Sequence, residues 1–190
     1  MAKAVAKSAS RALGLLIVKC KAHGGFQHNI FTKLFDTLVW SVINYGSAIW
    51  GTSEFSCISA VQNRAMRFYM GVGKYTPNDA VSGDMGWKPP YVKQWSNIFR
   101  HWARCTKMDK DRINYKVFIW SIRKSSYKIK NWSYKVIEML KLYNMDRFCN
   151  VDDYILDKNI IHQLEVNIFD NYKTEWSTRL DSYGQGNKLR

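Results

Sequence analysis

The sequence predicts an all-α protein of seven to eight helices in two packed subdomains. Three observations carry that expectation. Apolar residues recur at spacings of three and four along almost the whole chain, the period of a helix with one buried face. Only three prolines, Pro77, Pro89 and Pro90, interrupt 190 residues, so long stretches are free of helix breakers. A hydrophobic fraction of 46% with 15% aromatics supplies enough apolar side chain for a real core.

The elements follow in order. Ala9, Leu13, Leu16, Ile17 and Cys20 form a first apolar stripe, with Lys3, Lys7 and Arg11 on another face, and Gly24-Gly25 ends that helix. Phe31, Leu34, Leu38, Val42, Tyr45 and Ile49 predict a second helix closed by Gly51. Phe55, Ile58, Val61, Ala65, Phe68 and Val72 predict a third, ending in Gly71 and Gly73. Thr76 to Pro90 is the longest stretch without a period and reads as a structured loop, Thr76-Pro77 having the form of a cap followed by Pro at a first helical position. Beyond it, Tyr91, Trp95, Ile98, Phe99 and Trp102 mark one side of a strongly patterned helix. Val117 to Trp120 fits a buried strand as well as a helix; its helical surroundings favour the helix. Trp132, Val136, Met139, Leu140 and Tyr143 give another helix, and Asp152-Asp153 opens a last one through Ile161, Leu164, Ile168, Tyr172 and Trp176. The tail from Ser182 to Arg190 is Gly-rich, basic and expected to fray. The expected organisation is a helical unit over 1–75, a Gly/Pro-containing connector over 76–90, and a basic-then-acidic helical unit over 91–190.

Charge placement narrows the class of partner. Residues 1–73 carry eight Lys/Arg against two acids, residues 74–145 fifteen against five, and residues 146–190 six against eight. The surplus of +14 therefore sits in the first three quarters. Such a field attracts polyanions, nucleic acid first and anionic membrane second. No stretch approaches the roughly 20 apolar residues a membrane span needs. The cysteines, Cys20, Cys57, Cys105 and Cys149, are far apart and fit reduced core thiols better than a zinc site or a disulfide framework. Before Asp36 there is no acid, so the basic N-terminal helix also has the form of a mitochondrial transit peptide. The favoured location is intracellular, in nucleus or cytoplasm, with mitochondrial import as the alternative.

No catalytic constellation emerges. Asn150-Val151-Asp152-Asp153 has the adjacent carboxylates of a two-metal polymerase hairpin, but Asn150 stands where an aromatic belongs and the β pattern around it is missing. A helix N-terminus explains the two acids. His23, His28, His101 and His162 are scattered without ligand spacing, and Gly71-Val72-Gly73-Lys74 is too short for a phosphate loop. No cofactor is expected.

The basic residues do form patterns. Arg64 and Arg67 share a helix face, with Lys74 one or two turns on. Lys93, Arg100, Arg104 and Lys107 stand at offsets of 7, 11 and 14, one stripe opposite an aromatic face. From Lys107 to Lys141 ten cations accompany three acids, among them Lys128, and Trp120, Tyr127, Trp132 and Tyr134 interleave as candidates for base stacking. Stripes of this kind contact phosphates without reading sequence. The bland alternative is a set of solvated helix faces over an aromatic core.

Four short motifs occur in fixed order: Tyr45-Gly46-Ser47-Ala48-Ile49-Trp50, Gln62-Asn63-Arg64-Ala65, Thr76-Pro77, and Gly83-Asp84-Met85-Gly86-Trp87 ahead of Pro89-Pro90. This run resembles the region just downstream of the catalytic palm in LINE-like (non-LTR) retrotransposon reverse transcriptases, over roughly Arg11 to Lys107, about half of the chain. The resemblance implies a thumb-like unit over 1–75 whose helices lie against the template–product duplex. It makes the Gln62-Asn63-Arg64 helix the packing or duplex-contacting one, and makes Gly83, Asp84, Gly86 and Trp87 a structural turn with Trp87 as plug and no chemistry at Asp84. Fingers, palm and endonuclease have no counterpart here, which suggests a fragmentary or degenerate gene, inactive alone as an RNA-directed DNA polymerase. The partners it implies are RNA or an RNA–DNA duplex, together with a palm and fingers domain outside this chain. The competing expectation is a helical protein-interaction module, or an inactive relic, with incidental charge.

Overall fold

A computed structural model describes residues 1–127, 129–151 and 155–186, with side chains as far as Ser182. The protein is all-helical: 76% of it is helix, and no strand occurs among the described residues. In chain order the helices are α1 (Ala2–Ala22), α2 (His28–Leu34), α3 (Ser41–Asn44), α4 (Ser47–Trp50), α5 (Ser56–Met70), α6 (Asn78–Met85), α7 (Pro90–Thr106), α8 (Ile113–Ser126), α9 (Trp132–Leu142) and α10 (Lys158–Gly186). A π-helical segment, Phe35–Trp40, continues α2 into α3, and a 3₁₀ turn, Asp146–Cys149, follows α9. The chain divides into two compact units: Met1–Tyr45, Glu54–Pro90 and Asp170–Arg190 make the first, and Gly46–Ser53 with Tyr91–Phe169 the second.

In the first unit α1 packs on α5 and on the π segment. Ala6, Ala9, Leu13, Leu16 and Cys20 of α1 are buried, and Ile58, Val61, Gln62, Ala65 and Met66 of α5. The second apolar stripe differs from the expected one. Phe31, Phe35, Val39 and Ile43 are buried, whereas Leu38, Tyr45 and Ile49 are exposed. A spacing of four at every step is too long for one face of a straight α-helix, and the wider π turn brings those four residues into line. Hydroxyls serve the loosened carbonyls: Thr37 donates to Lys33 O at 2.9 Å and Ser41 to Thr37 O at 2.7 Å.

Residues 76–90, expected as a connector, hold α6 and belong to the first unit. Val81 and Met85 bury against Met66, with Tyr69, Val72 and Trp87 around them. Pro77 is the cap before α6, one position earlier than the expected first helical residue. Gly83 and Asp84 lie in the last turn of α6 rather than in a free turn, and Gly86 ends the helix at φ 63°, a left-handed conformation that costs glycine least. The Trp87 ring lies 4.5 Å from that of Phe35, tilted by 31°, and its indole donates to Thr32 Oγ1 at 3.1 Å. Gly83 makes room for an indole, since a Cβ there would stand 2.7 Å from the Trp176 ring. Trp176 donates to Asp79 O at 2.7 Å, and Arg179 pairs with Asp79 at 3.1 Å.

The second unit is built on aromatics. Trp95, Ile98, Phe99 and Trp102 of α7 pack with Phe118 of α8, Val136 and Leu140 of α9, Phe148, and Leu164 and Ile168 of α10. The ambiguous run from Val117 to Trp120 is helical, in α8. Trp102 meets Phe118 edge-on at 5.0 Å and lies 5.8 Å from Trp132. Trp132 donates to Ala48 O at 2.8 Å and Lys135 to Ser53 Oγ at 2.8 Å, which anchors the 46–53 segment in this unit. Asn131 caps α9 by accepting from Tyr134 N at 2.8 Å. The final helix begins at Lys158, later than expected, where the Asp157 carboxylate accepts from Ile160 N at 2.8 Å. Asp152, Asp153, Lys128 and the tail beyond Gly186 lie outside the described residues.

Candidate nucleic-acid interface

The expected phosphate contacts fall into two groups, one in each unit. In the first unit Arg64, Arg67 and Lys74 line one open groove of about 740 Å³ together with Asn63, Phe68 and Asn78, and none of its lining residues is an acid. Arg64 is exposed on the outer face of α5. Helix α5 ends at Gly71 (φ 66°), where Val72 N reaches back to Arg67 O at 3.1 Å, and the chain turns to set Lys74 on the rim of the same groove.

Arg67 has a different position from Arg64. It is half-buried and donates to Thr76 O at 2.8 Å and to Asn78 Oδ1 at 2.6 Å. Its guanidinium therefore ties the loop after α5 to the start of α6, so it holds the groove's shape as well as adding charge. The resemblance placed Gln62 with Asn63 and Arg64; Gln62 is buried and donates to Lys88 O at 3.1 Å, a packing role, while Asn63 and Arg64 line the groove.

Lys21, not expected near this groove, lines a neighbouring pocket that shares Phe68 with it. The pairing of α1 with α5 brings its ammonium 6.0 Å from the ring of Phe68, which itself lines the groove. The only signal in the sequence was the acid-free run before Asp36, which has another reading as a targeting segment.

In the second unit Arg100 and Arg104 are exposed along α7, and Lys107 follows just past its end. Lys93, the first member of that stripe, is half-buried. Arg100 donates to Asn97 Oδ1 at 3.3 Å, and Arg104 to His101 Nδ1 at 2.8 Å. Burial, and then the Arg104 charge, hold His101 below the usual histidine range. A neutral ring that accepts at Nδ1 carries its proton on Nε2, which faces Cys105 Sγ at 3.6 Å. Burial pushes the Cys105 thiol up, opposite to what a nucleophile needs. Both shifts favour the neutral thiol and imidazole over a thiolate–imidazolium pair.

The stacking candidates separate as well. Trp132 is engaged with Trp102 and Ala48, and Tyr134 hydrogen-bonds Glu138, which raises its pKa. Trp120 and Tyr127 stand exposed. Asp84 is exposed at the end of α6. Among the described residues no three His, Cys, Asp or Glu side chains come together, and no helix is long and apolar enough to cross a membrane.

No protein-family model matches the chain, and comparisons with curated proteins and with solved structures find no match.

Proposed function

We propose that the chain is the thumb and post-thumb region of a LINE-like reverse transcriptase and binds RNA or an RNA–DNA duplex through phosphates, with no polymerase chemistry of its own. The observation that supports this reading best is the acid-free groove lined by Arg64 and Arg67 of α5, the helix whose Gln-Asn-Arg motif carries the resemblance, and by Lys74 of the loop after it. Arg64 and Lys74 are set to contact phosphate directly, and Arg67 braces the loop that presents Lys74. Arg100, Arg104 and Lys107 add a second set of contacts from α7. A palm and fingers domain is the natural further partner, and a nuclear or cytoplasmic location suits the substrate.

The test is fluorescence anisotropy with a labelled RNA–DNA hybrid over a salt series. Binding through about six phosphates weakens by roughly a thousandfold or more between about 50 and 200 mM salt. Arg64→Ala with Lys74→Ala weakens it at every salt concentration and leaves helicity intact. Tight binding that ignores salt, or none by a folded chain at low salt, leaves the protein-interaction reading in its place.

A further inference from the structure

Helix α8 carries apolar residues on two sides. One side faces the core through Phe118, with Ile122 beside it. The other carries Ile113, Val117 and Trp120, continued by Tyr127 at the cap just past the helix end; these are 75%, 57%, 59% and 78% exposed. At about 100° per residue these four fall within a strip roughly 80° wide, opposite the core side, and about 21 Å long. The exposed cations Lys116 and Arg123 border the strip along one edge, and Lys124 lies within it, its ammonium 5.8 Å from the Trp120 ring. From Arg112 to Ile137 the sequence holds seven Lys/Arg and no Asp or Glu.

We propose that this face of α8 docks in the plane of an anionic lipid surface. Charge complementarity selects the occupant. A strip of Ile, Val, Trp and Tyr bordered by lysine and arginine is what an acyl–headgroup boundary takes up: the aliphatic side chains enter the hydrocarbon edge, the indole and phenol sit at headgroup depth, and the long basic chains reach back to lipid phosphates. A protein partner is disfavoured because the core of a protein interface is poor in lysine. Nucleic acid would use Trp120 and Tyr127 by stacking, but Ile113 and Val117 offer a base or a phosphate neither a π-face nor a hydrogen bond. The proposal concerns adsorption to one leaflet and requires no membrane span.

The experiment is co-sedimentation of the full-length chain with phosphatidylcholine vesicles containing about a third phosphatidylserine. Binding is expected there and not to phosphatidylcholine alone. Val117→Ser with Trp120→Ser should weaken it about a hundredfold, and Lys116→Gln with Arg123→Gln about thirtyfold. All four residues are at the surface, so circular dichroism should be unchanged. The apolar pair of substitutions should leave binding to the RNA–DNA hybrid and to single-stranded RNA as it was. Failure to bind anionic vesicles, or binding that ignores the apolar pair, overturns the proposal. So does a loss confined to single-stranded RNA, which would make the strip a stacking platform. Hybrid binding by the unaltered chain is read separately, so the fate of the nucleic-acid reading stays distinguishable.

Discussion

Helices α7 and α8 carry the same number of cations, three each, and dispose of their apolar residues in opposite ways. On α7 the large apolar side chains all turn into the core, with Val92, Ile98, Phe99 and Trp102 fully buried, and the outer face is left to Arg100 and Arg104. On α8 one apolar set is buried and a second is left in solvent. Equal charge therefore gives two kinds of surface. One presents exposed cations alone; the other presents cations beside an exposed apolar strip. In the two proposals charge selects a polyanion in both cases, and the exposed apolar area decides between a nucleic-acid backbone and a lipid boundary.

The sharpest way to break that contrast is to delete one indole from each setting. Trp102→Ala empties a fully enclosed site and should cost about 3–5 kcal/mol in urea denaturation, whereas Trp120→Ala should stay within about 0.5 kcal/mol. Equal losses would mean that α8's outer strip is not a free surface. Next in size are the supports of the first unit. Gly83→Ala drives a methyl into the Trp176 ring and should cost about 1–3 kcal/mol, measured as a lowered denaturation midpoint. Arg67→Ala removes the donor to Thr76 O and should cost about 1–3 kcal/mol, with Arg64→Ala near zero as its control.

The smallest effect expected is a pH dependence on α7. His101 titrates below its unfolded value of about 6.5 because burial and Arg104 oppose its charge. Above that pH the ring is neutral in both states and contributes no slope. As pH falls below it, the unfolded chain takes up the proton first, so stability declines toward the lower folded value. His101→Gln should flatten the decline, seen by comparing denaturation midpoints of the two proteins between about pH 7 and pH 5.

The helical class was legible because periodicity and the scarcity of proline are local signals. So was the aromatic face of α7, where burial follows a regular α period. The stripe from Phe31 to Ile43 was misread because a π segment changes the period in mid-helix, and only the backbone shows that. Residues 76–90 looked like a loop because they hold all three prolines and two glycines, yet Val81 and Met85 are too deeply buried for one. The Asp79–Arg179 pair joins residues 100 apart in sequence, and the anchoring of Ala48 by Trp132 spans 84, so neither leaves a local trace. In the candidate interface, exposure of Arg64, Arg100 and Arg104 followed from their spacing. The engagement of Arg67 with the loop and the approach of Lys21 to Phe68 depend on which helices pair, which spacing does not encode.

On the proposed function, specific side chains on α5, on the loop after it, and on and just after α7 neutralise phosphates. The most direct measurement is the slope of log K against log salt for an RNA–DNA hybrid, compared between the unaltered chain and one with Arg64, Lys74, Arg100, Arg104 and Lys107 changed to Gln. Each lost phosphate contact should flatten the slope by about 0.9, so the five-residue variant should lose about 4.5 in total. An unchanged slope in a variant that keeps its helicity would contradict the claim and move the binding, if any, to other residues.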